Sequence, residues 1–500
     1  MRNLMIGCFL IGSLFSIATK AQTSDRVHEP FPAEANPNGV IVQVTWPESN
    51  DSILVTVTNA DSYRHKIQLP NKAHLANTTN LPESCNQAQA ISLISRKVNL
   101  TPQSCITYQL RIDEFDPPAW RGRTSVAHQD SVWQLNTYDW LIRTSAPTTV
   151  ELILPNGYSV TSPWPLQTMG DNHYRLSITE APSNESGHLI IGHFLGGREF
   201  LGAMEIDFAY LGHEKDFGKI HLWIQKNIEQ LQTTIGANPS YRIQVIAIPT
   251  APIPSGEPVP FGHVVRAGTQ TVRFYVNPAA TSQELMSDWT AAHEFSHLLQ
   301  PYLGDNGRWV SEGFASYYQN VLMAKLGAYD ERTAWKNLLA GFQRGMDVRP
   351  KVSPNQSPKA GMRSARMMIY WSGAAIALMA DVEIRKMTNN KQSLNSVFAE
   401  LANCCLPANR SWSTIEMFTK LDTFLPEPVF MPLYSQWADR TGFPDVAPTL
   451  AEIGVIYKNT IFNSNLNFIE TSHTDIRRAI MSADVNYLKS NGNSDAPRVS

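Results

Sequence analysis

The centre of this chain contains the stretch His293-Glu294-Phe295-Ser296-His297, followed at positions 309–318 by WVSEGFASYY. Two histidines four residues apart lie one turn from each other on the same face of a helix, so both imidazoles can bind one metal ion. Glu294 points towards that ion without having to bind it, and Glu312 can supply a third protein ligand. Three protein ligands leave one position open for chemistry, which is the arrangement of a catalytic zinc site.

The residues around this motif predict two helices. Ser282 to Leu299 carries an apolar stripe at helical spacing, and Pro301 and Gly304 end it. A second helix is predicted from Glu312 to Leu326. Because the connection is short, we expect the two helices to pack as antiparallel neighbours, which returns the glutamate to the two histidines. The motif also occurs by chance on exposed helices, but the helical pattern on both sides of it argues against that alternative.

The ligand types indicate one zinc ion per chain. Imidazoles together with a carboxylate suit zinc better than calcium or magnesium, which prefer oxygen ligands only. Zinc would lower the pKa of its bound water and polarise a substrate carbonyl. Glu294 is then predicted to take a proton from that water and pass it to the leaving amine. The oxyanion that forms needs a further hydrogen-bond donor.

A family resemblance begins at this point. Residues 293–297 and 309–317 resemble the gluzincin zinc metallopeptidases. The segment 369–385, IYWSGAAIALMADVEIR, is similar to the Tyr-x-x-Gly-Ala helix of the glycyl aminopeptidase-like family within that group, and the likeness extends over about residues 200–430. The resemblance implies a thermolysin-like catalytic domain and assigns Tyr370 the stabilisation of the oxyanion. From its own surroundings alone, Tyr370 begins an apolar run, which favours a packed core residue with a satisfied hydroxyl.

One segment departs from the aminopeptidase pattern. Related aminopeptidases carry a glycine-rich strand that ends in a glutamate, which binds the free amine of the substrate. The matching segment here, FGHVVRAGTQT at 261–271, has no glutamate. We predict that Gly262, His263 and Arg266 contact the substrate instead. A positive charge there suits a carboxylate or a neutral backbone better than an ammonium group, so aminopeptidase and endopeptidase activity both stay open.

Bulk properties limit the partners. A net charge of −3 and a pI near 6.5 carry no electrostatic footprint for nucleic acid. The predicted partner is a peptide or protein substrate, and the sequence carries no signal for an oligomeric state.

The N-terminus predicts export. Arg2 and the apolar run from Leu4 to Ile17 are typical of a signal peptide over residues 1–21, cleaved after Ala21. No other stretch is expected to cross a bilayer, so the mature protein is predicted to be periplasmic or secreted. Export permits disulfides. Cys85–Cys105 is a plausible pair, whereas Cys404–Cys405 is either a vicinal bridge or two thiols.

The predicted fold class is α+β multidomain. Short β-branched runs predict an N-terminal β-sandwich-like domain over 22–200. This domain either positions the substrate or attaches the protein to a surface, or it serves as a scaffold for the catalytic domain, which is the favoured role. A thermolysin-like (gluzincin) catalytic domain is expected over 201–365, a helical C-terminal part over 366–460 and a polar tail over 461–500. Two proline-containing segments, 249–260 and 349–361, are expected to border the active-site cleft.

The predicted function is that of an exported zinc-dependent metallopeptidase. Two alternatives stay open at the level of sequence. One is a binding protein that keeps the fold without turnover, and the other is a zinc hydrolase acting on a non-peptide amide.

Overall fold

The computed structural model describes residues 39–47, 52–76, 87–114, 119–120, 123–124, 132–178, 187–236, 242–252, 256–460 and 463–482. The predicted signal peptide, Cys85 and the last eighteen residues (483–500) of the predicted polar tail lie outside these ranges. Over the described residues, the chain has a mixed α+β architecture with N-terminal sheets and a helical C-terminal part.

The N-terminal region consists of short strands with one 3-10 turn (Ile112–Glu114) and one helical turn. Its elements are β1 (Val40–Thr45), β2 (Ser52–Asn59), β3 (His65–Gln68), β4 (His74–Leu75), β5 (Gln87–Ala88), β6 (Lys97–Leu100), β7 (Ser104–Arg111), β8 (Ala119–Trp120), β9 (Arg123–Thr124), β10 (Val132–Asn136), α1 (Thr137–Trp140), β11 (Thr148–Ile153), β12 (Ser159–Thr161), β13 (Gln167–Gly170), β14 (His173–Ile178) and β15 (His188–Gly192).

Two sheets of this region share one apolar core. The larger has the order β13-β14-β11-β1-β2-β7-β4, with β5 also paired to β7, and the smaller has the order β10-β15-β12. In β1, Val40, Val42 and Val44 are buried and alternate with half-buried neighbours, as the period of two in a strand requires. Leu189 and Ile191 of β15 belong to the same core. The region is therefore sandwich-like.

A mixed five-stranded sheet follows, with the helices that carry the metal motif. Its elements are β16 (Leu195–Leu201), β17 (Met204–Tyr210), α2 (Glu214–Ile235), β18 (Arg242–Pro249), β19 (Phe261–Val265), β20 (Thr271–Val276), α3 (Ser282–Ser287), α4 (Thr290–Ser296) and a 3-10 turn (His297–Leu299). The order is β16-β17-β18-β20-β19, with β17, β18 and β20 parallel and both outer strands antiparallel to their neighbours. The edge strand β19 borders α4.

The two faces of this sheet pack against different partners. One face packs against α2 and α4, where Phe274 contacts Trp223 and Phe295 edge to face. The other meets the N-terminal region through a small apolar cluster that includes Ile190 and Ile246. Since β16 already begins at Leu195, the predicted division at 200/201 falls inside this sheet.

The rest of the chain is mostly helical. Its elements are α5 (Arg308–Lys325), α6 (Glu331–Met346), α7 (Ser357–Met387), α8 (Leu394–Cys405), α9 (Thr414–Asp422), α10 (Phe430–Trp437), α11 (Ala447–Glu452), β21 (Val455–Thr460), β22 (Asn463–Phe468) and α12 (Thr474–Met481).

One hydrophobic core runs from Met204 to Met481, across the predicted boundaries at 365/366 and 460/461. The first boundary falls inside α7. Beyond the second, residues expected in a polar tail form β22 and α12, whose Leu466 and Ile480 are buried. The polar composition of this segment concealed an amphipathic helix, because its few apolar residues lie on one face.

Helix α7 corrects the expectation that no stretch beyond the signal peptide could cross a bilayer. Its segment Ser364–Met387 is long and apolar enough by length and composition, with a mean hydropathy of 1.3 in its most apolar window. However, 83% of that window is buried inside the protein. The apolar composition is therefore explained by the central position of α7 in the core.

The cysteine predictions have different outcomes. Cys404 and Cys405, at the end of α8, form a vicinal disulfide. The predicted pairing of Cys105 with Cys85 cannot be described, because Cys85 lies outside the described residues.

Candidate active site

The helix predicted over 282–299 is interrupted before the metal motif. Helix α3 ends at Ser287, and Asp288 has an extended backbone with φ −83° and ψ 128°. The carboxylate of Asp288 accepts a hydrogen bond of 2.8 Å from the backbone N–H of Thr290, where α4 begins. Such local side-chain bonds compete with helix formation, which explains the break. The motif therefore spans α4 and the 3-10 turn that contains His297.

The three predicted metal ligands converge. One ligand atom each from His293, His297 and Glu312 lies within 4.8 Å of the other two. The Nε2 atom of His293 is 3.3 Å from Oε2 of Glu312, and that of His297 is 3.7 Å from the same oxygen. The chain reversal between α4 and α5 thus brings the glutamate back to the histidines, as the short connection between the helices predicted.

Two side chains of α5 orient the imidazoles. Nδ1 of His293 lies 2.9 Å from Oε1 of Gln319, and Nδ1 of His297 lies 3.2 Å from Oγ of Ser311. With both Nδ1 atoms engaged, both Nε2 atoms face Glu312, which is how hydrogen bonds behind a metal site set the orientation of histidine ligands. Sequence analysis missed both residues. The available signal was their position on the helix of Glu312: Ser311 comes one residue before it and Gln319 seven residues after it.

The donor set fits a divalent metal such as zinc. Two imidazole nitrogens and one carboxylate oxygen are brought together on buried helices, and the imidazoles are held from behind. This is the ligand chemistry that zinc prefers over calcium or magnesium.

Burial and hydrogen bonds to neighbouring side chains shift the pKa values of the site residues. Burial raises the pKa of Glu294 to about 7 and lowers the pKa of His297 to about 4. Burial also opposes ionisation of Glu312, but hydrogen bonds from the two histidines outweigh it and hold the pKa of Glu312 below its usual range. An ionised Glu312 beside a neutral His297 matches the protonation states that metal ligands need.

A close crossing of α5 and α7 places Tyr370 at the site. Gly313 of α5 packs against Gly373 of α7, and a Cβ atom at Gly373 would collide with the carbonyl oxygen of Trp309. Only glycine permits this backbone approach. As a result, the Tyr370 ring stacks beside His293 with centroids 6.0 Å apart. Burial, with a smaller contribution from nearby carboxylates, raises the pKa of Tyr370, so its hydroxyl stays protonated.

Two neighbouring tyrosines of α5 have a structural role. Tyr317 donates a hydrogen bond of 2.7 Å to Oδ2 of Asp381, and Tyr318 donates one of 3.0 Å to Oδ1 of Asn395. Asp381 also accepts 2.9 Å from Nε of Arg385. These buried bonds tie α5 to α7 and α8.

The predicted substrate contacts lie on or just after β19. A Cβ atom at Gly262 would lie 2.5 Å from Cγ of Glu294, so glycine lets the strand run against the motif. His263 lines the cleft beside Gly262. Arg266 is 6% exposed, and its guanidinium donates to Gln270 Oε1 and, at 2.7 Å, to the carbonyl of His297. Arg266 therefore supports the end of the metal motif, in addition to lining the cleft.

Three adjoining cavities form a groove through the site. The loop-side cavity, about 290 Å³, is lined by the 302–305 loop, and the helix-side cavity, about 660 Å³, is lined by α6 and α7. These two share Glu294 and Tyr370. An outer cavity of about 570 Å³ continues from the 302–305 loop. Both proline-containing segments reach these cavities. Val259, from segment 249–260, lines the helix-side cavity, and Asn355, from segment 349–361, lines the outer one.

No protein-family model and no curated protein matches this sequence. Among solved structures, the chain is similar to the crystal structure of an aminopeptidase N family protein from Idiomarina loihiensis. The TM-score is 0.58 at 14% sequence identity, over 86% of this chain and 81% of that one. At this identity the likeness shows the fold alone, and it agrees with the mixed α+β architecture expected from the family resemblance.

Proposed function

We propose that this chain is an exported zinc metallopeptidase of the gluzincin type, with a thermolysin-like catalytic domain. The observation that carries the proposal is the convergence of His293, His297 and Glu312 within 4.8 Å, with Glu294 and Tyr370 lining the same cleft. The fold likeness to an aminopeptidase N family protein supports a peptidase.

Zinc, held by the two imidazoles and Glu312, would supply Lewis-acid chemistry at the scissile carbonyl and would lower the pKa of water. Glu294 faces both central cavities, so its carboxylate can accept a proton from water in the cleft. The same group then returns the proton to the amine that leaves.

Tyr370 completes the catalytic set. Tyr370, on α7, lines the same two cavities as Glu294. A protonated hydroxyl there can donate a hydrogen bond to the oxyanion of the reacting carbonyl. The Gly313–Gly373 crossing packs α7, which carries that donor, directly against α5, which carries Glu312.

The groove supports cleavage within a peptide chain. Cavities lie on both sides of Glu294 and Tyr370, so substrate residues can occupy positions on either side of the scissile bond. The edge strand β19 runs beside Glu294 and can pair with an extended peptide through its backbone groups. N-acetylated peptides should therefore be hydrolysed as well as free ones. Strict dependence on a free N-terminus would instead identify an aminopeptidase.

Metal analysis and one variant test the reaction. The purified protein should contain about one zinc per chain, lose activity with a chelator and regain it with zinc. Glu294→Gln should keep the zinc and lose roughly 10²- to 10⁴-fold in kcat, the usual contribution of a general acid–base group. Glu229→Gln, on the surface of α2, is the matched control and should be fully active. A metal-free protein, or an active Glu294→Gln, would overturn the assignment.

A further inference from the structure

We propose that the helix-side cavity binds a carboxylate group of the peptide substrate through Arg344 and Arg366. This inference rests on the proposed function, because the cavity adjoins Glu294 and Tyr370. It names a specificity that the metal motif itself does not contain.

Two consecutive aromatic residues of α7 position the two guanidinium groups. Arg344, on α6, lies over the Trp371 ring with its Cζ atom 4.9 Å from the ring centroid. Arg366, on α7, lies over the Tyr370 ring at 5.8 Å. Both arginines line the helix-side cavity. Because both arginines stack on aromatic residues of α7 and line the same cavity, the two positive charges belong to one wall, next to the catalytic tyrosine.

These two arginines are exposed at the cavity, unlike several buried arginines elsewhere in the protein, which have carboxylate partners. Arg385 pairs with Asp381 at 2.9 Å, and Arg477 pairs with Glu331 at 2.9 Å. Within the ranges that the structure describes, Arg344 and Arg366 contact aromatic faces and form no ion pair with a carboxylate. Both guanidinium groups are exposed at the cavity wall, so their N–H groups can donate to a carboxylate ligand.

The acidic groups of the same cavity form a separate patch. Glu257 and Asp288 also line it, from the loop before β19 and from the break before α4. Burial raises the pKa of Asp288 to about 6, and the charge of Glu257 contributes to the increase. By contrast, the positive charge of Arg366 acts on Tyr370 and partly offsets the increase in the pKa of Tyr370 that burial causes. The cavity thus has an acidic wall beside the motif helix and a basic wall on α6 and α7.

The position of the basic wall limits which carboxylate can reach it. Arg366 stacks on the tyrosine that faces the reacting carbonyl, so the bound group must belong to a residue close to the scissile bond. Either an acidic side chain or the C-terminal carboxylate of a short peptide satisfies this condition. A guanidinium binds both in the same bidentate manner.

Matched peptides separate these two sources. One pair of peptides shares the same sequence and differs only at the C-terminus, which is a free acid or an amide. A second pair has an amidated C-terminus and differs only in carrying Glu or Gln next to the cleaved bond. In the wild-type protein, peptides with the preferred carboxylate should show a KM about tenfold lower, the effect of one charge-assisted hydrogen-bonded pair. A lower KM for the acid than for the amide would show that the C-terminal carboxylate binds. A lower KM for the Glu peptide than for the Gln peptide would show that an acidic side chain binds.

Arginine variants test the assignment. Arg344→Gln and Arg366→Gln should each reduce the KM preference, and the double variant should abolish it. Arg440→Gln is the control, because Arg440 also stacks on a tryptophan, at 5.0 Å from the Trp437 ring centroid, but lines none of the three cavities described above. It should keep the full preference. Thermal unfolding of each variant checks that the fold is intact.

Calorimetric binding of the same peptides to Glu294→Gln distinguishes this inference from the proposed function. If peptides bind in a carboxylate-dependent manner but the wild-type protein does not hydrolyse them, the carboxylate site stands and the proposed peptidase function is refuted. Hydrolysis without any carboxylate preference, or a preference that survives in the double variant, would refute the site and keep the peptidase. Absence of peptide binding would refute the site as well.

Discussion

The N-terminal sandwich and the catalytic region bury polar groups for different purposes. In the sandwich, buried polar side chains bind backbone groups of other segments: Asp61 accepts from the backbone N–H of Gly39, and Asn59 donates to the carbonyl of Leu100. In the catalytic region, Asp381 instead connects α7 to α5 and α8 through Tyr317 and a backbone N–H. The sandwich is held mainly by apolar packing, whereas the catalytic helices also depend on a buried polar network.

The largest effect on stability is expected from that network. Asp381→Ala should cost about 3–5 kcal/mol in the free energy of unfolding, because Arg385 would stay buried without its partner. Chemical denaturation measures the change. Asp347→Ala, at an exposed position at the end of α6, should change the stability far less. A loss below about 1 kcal/mol for Asp381→Ala would show that the polar network does not hold the helices, because it lies far under the usual cost of breaking a buried pair.

A cavity in the core of the sandwich should lower the stability of the protein without changing catalysis. Ile53→Ala removes a fully buried side chain and should cost about 3 kcal/mol, from lost burial and an unfilled cavity. Activity at 25 °C should be unchanged, because the groove is lined entirely by residues from Glu257 onwards. Calorimetry and a peptide assay test both points. Leu75→Ala, at a side chain 57% exposed, is the control. Lost activity in Ile53→Ala would assign the sandwich a part in catalysis.

A substitution at the Gly313–Gly373 crossing of α5 and α7 should change both stability and activity. Gly373→Ala inserts a methyl group against α5 and should cost about 1–3 kcal/mol. The resulting shift of Tyr370 should lower kcat, by roughly tenfold to a hundredfold for a displacement of about 1 Å. Gly218→Ala, in open space on α2, should slightly stabilise the protein instead. Unchanged kcat in Gly373→Ala would argue against a catalytic role for Tyr370.

The smallest effect is expected at the contact between the two regions. Burial lowers the pKa of His188 to about 3, with a further contribution from Arg273. The unfolded chain therefore binds a proton that the folded chain rejects, and stability should fall as the pH drops below about 6.5 towards 3. Between pH 7 and pH 5 the loss should be about 1 to 2 kcal/mol.

His188→Gln should flatten this pH dependence in denaturation experiments. His473→Gln, at a half-buried histidine near α12, should leave it unchanged. An identical slope in the wild type and His188→Gln would show that other groups cause the acid sensitivity.

Much of the site could be predicted because its signals are local. The spacing of His293 and His297 follows from the helix repeat, and the alternation in β1 follows from the strand repeat. Both periodicities can be read within a few residues. The break at Asp288 could not be predicted, because one side-chain hydrogen bond outweighed a convincing apolar stripe.

Sequence alone determined the ligand types, their approximate spacing and the β-rich beginning of the chain, since these depend on neighbouring residues. Only the tertiary structure showed that Gly313 meets Gly373, that Arg266 supports His297 and that Arg344 shares a cavity wall with Arg366. These contacts join residues far apart in sequence, and their energies depend on burial and packing that no local pattern contains.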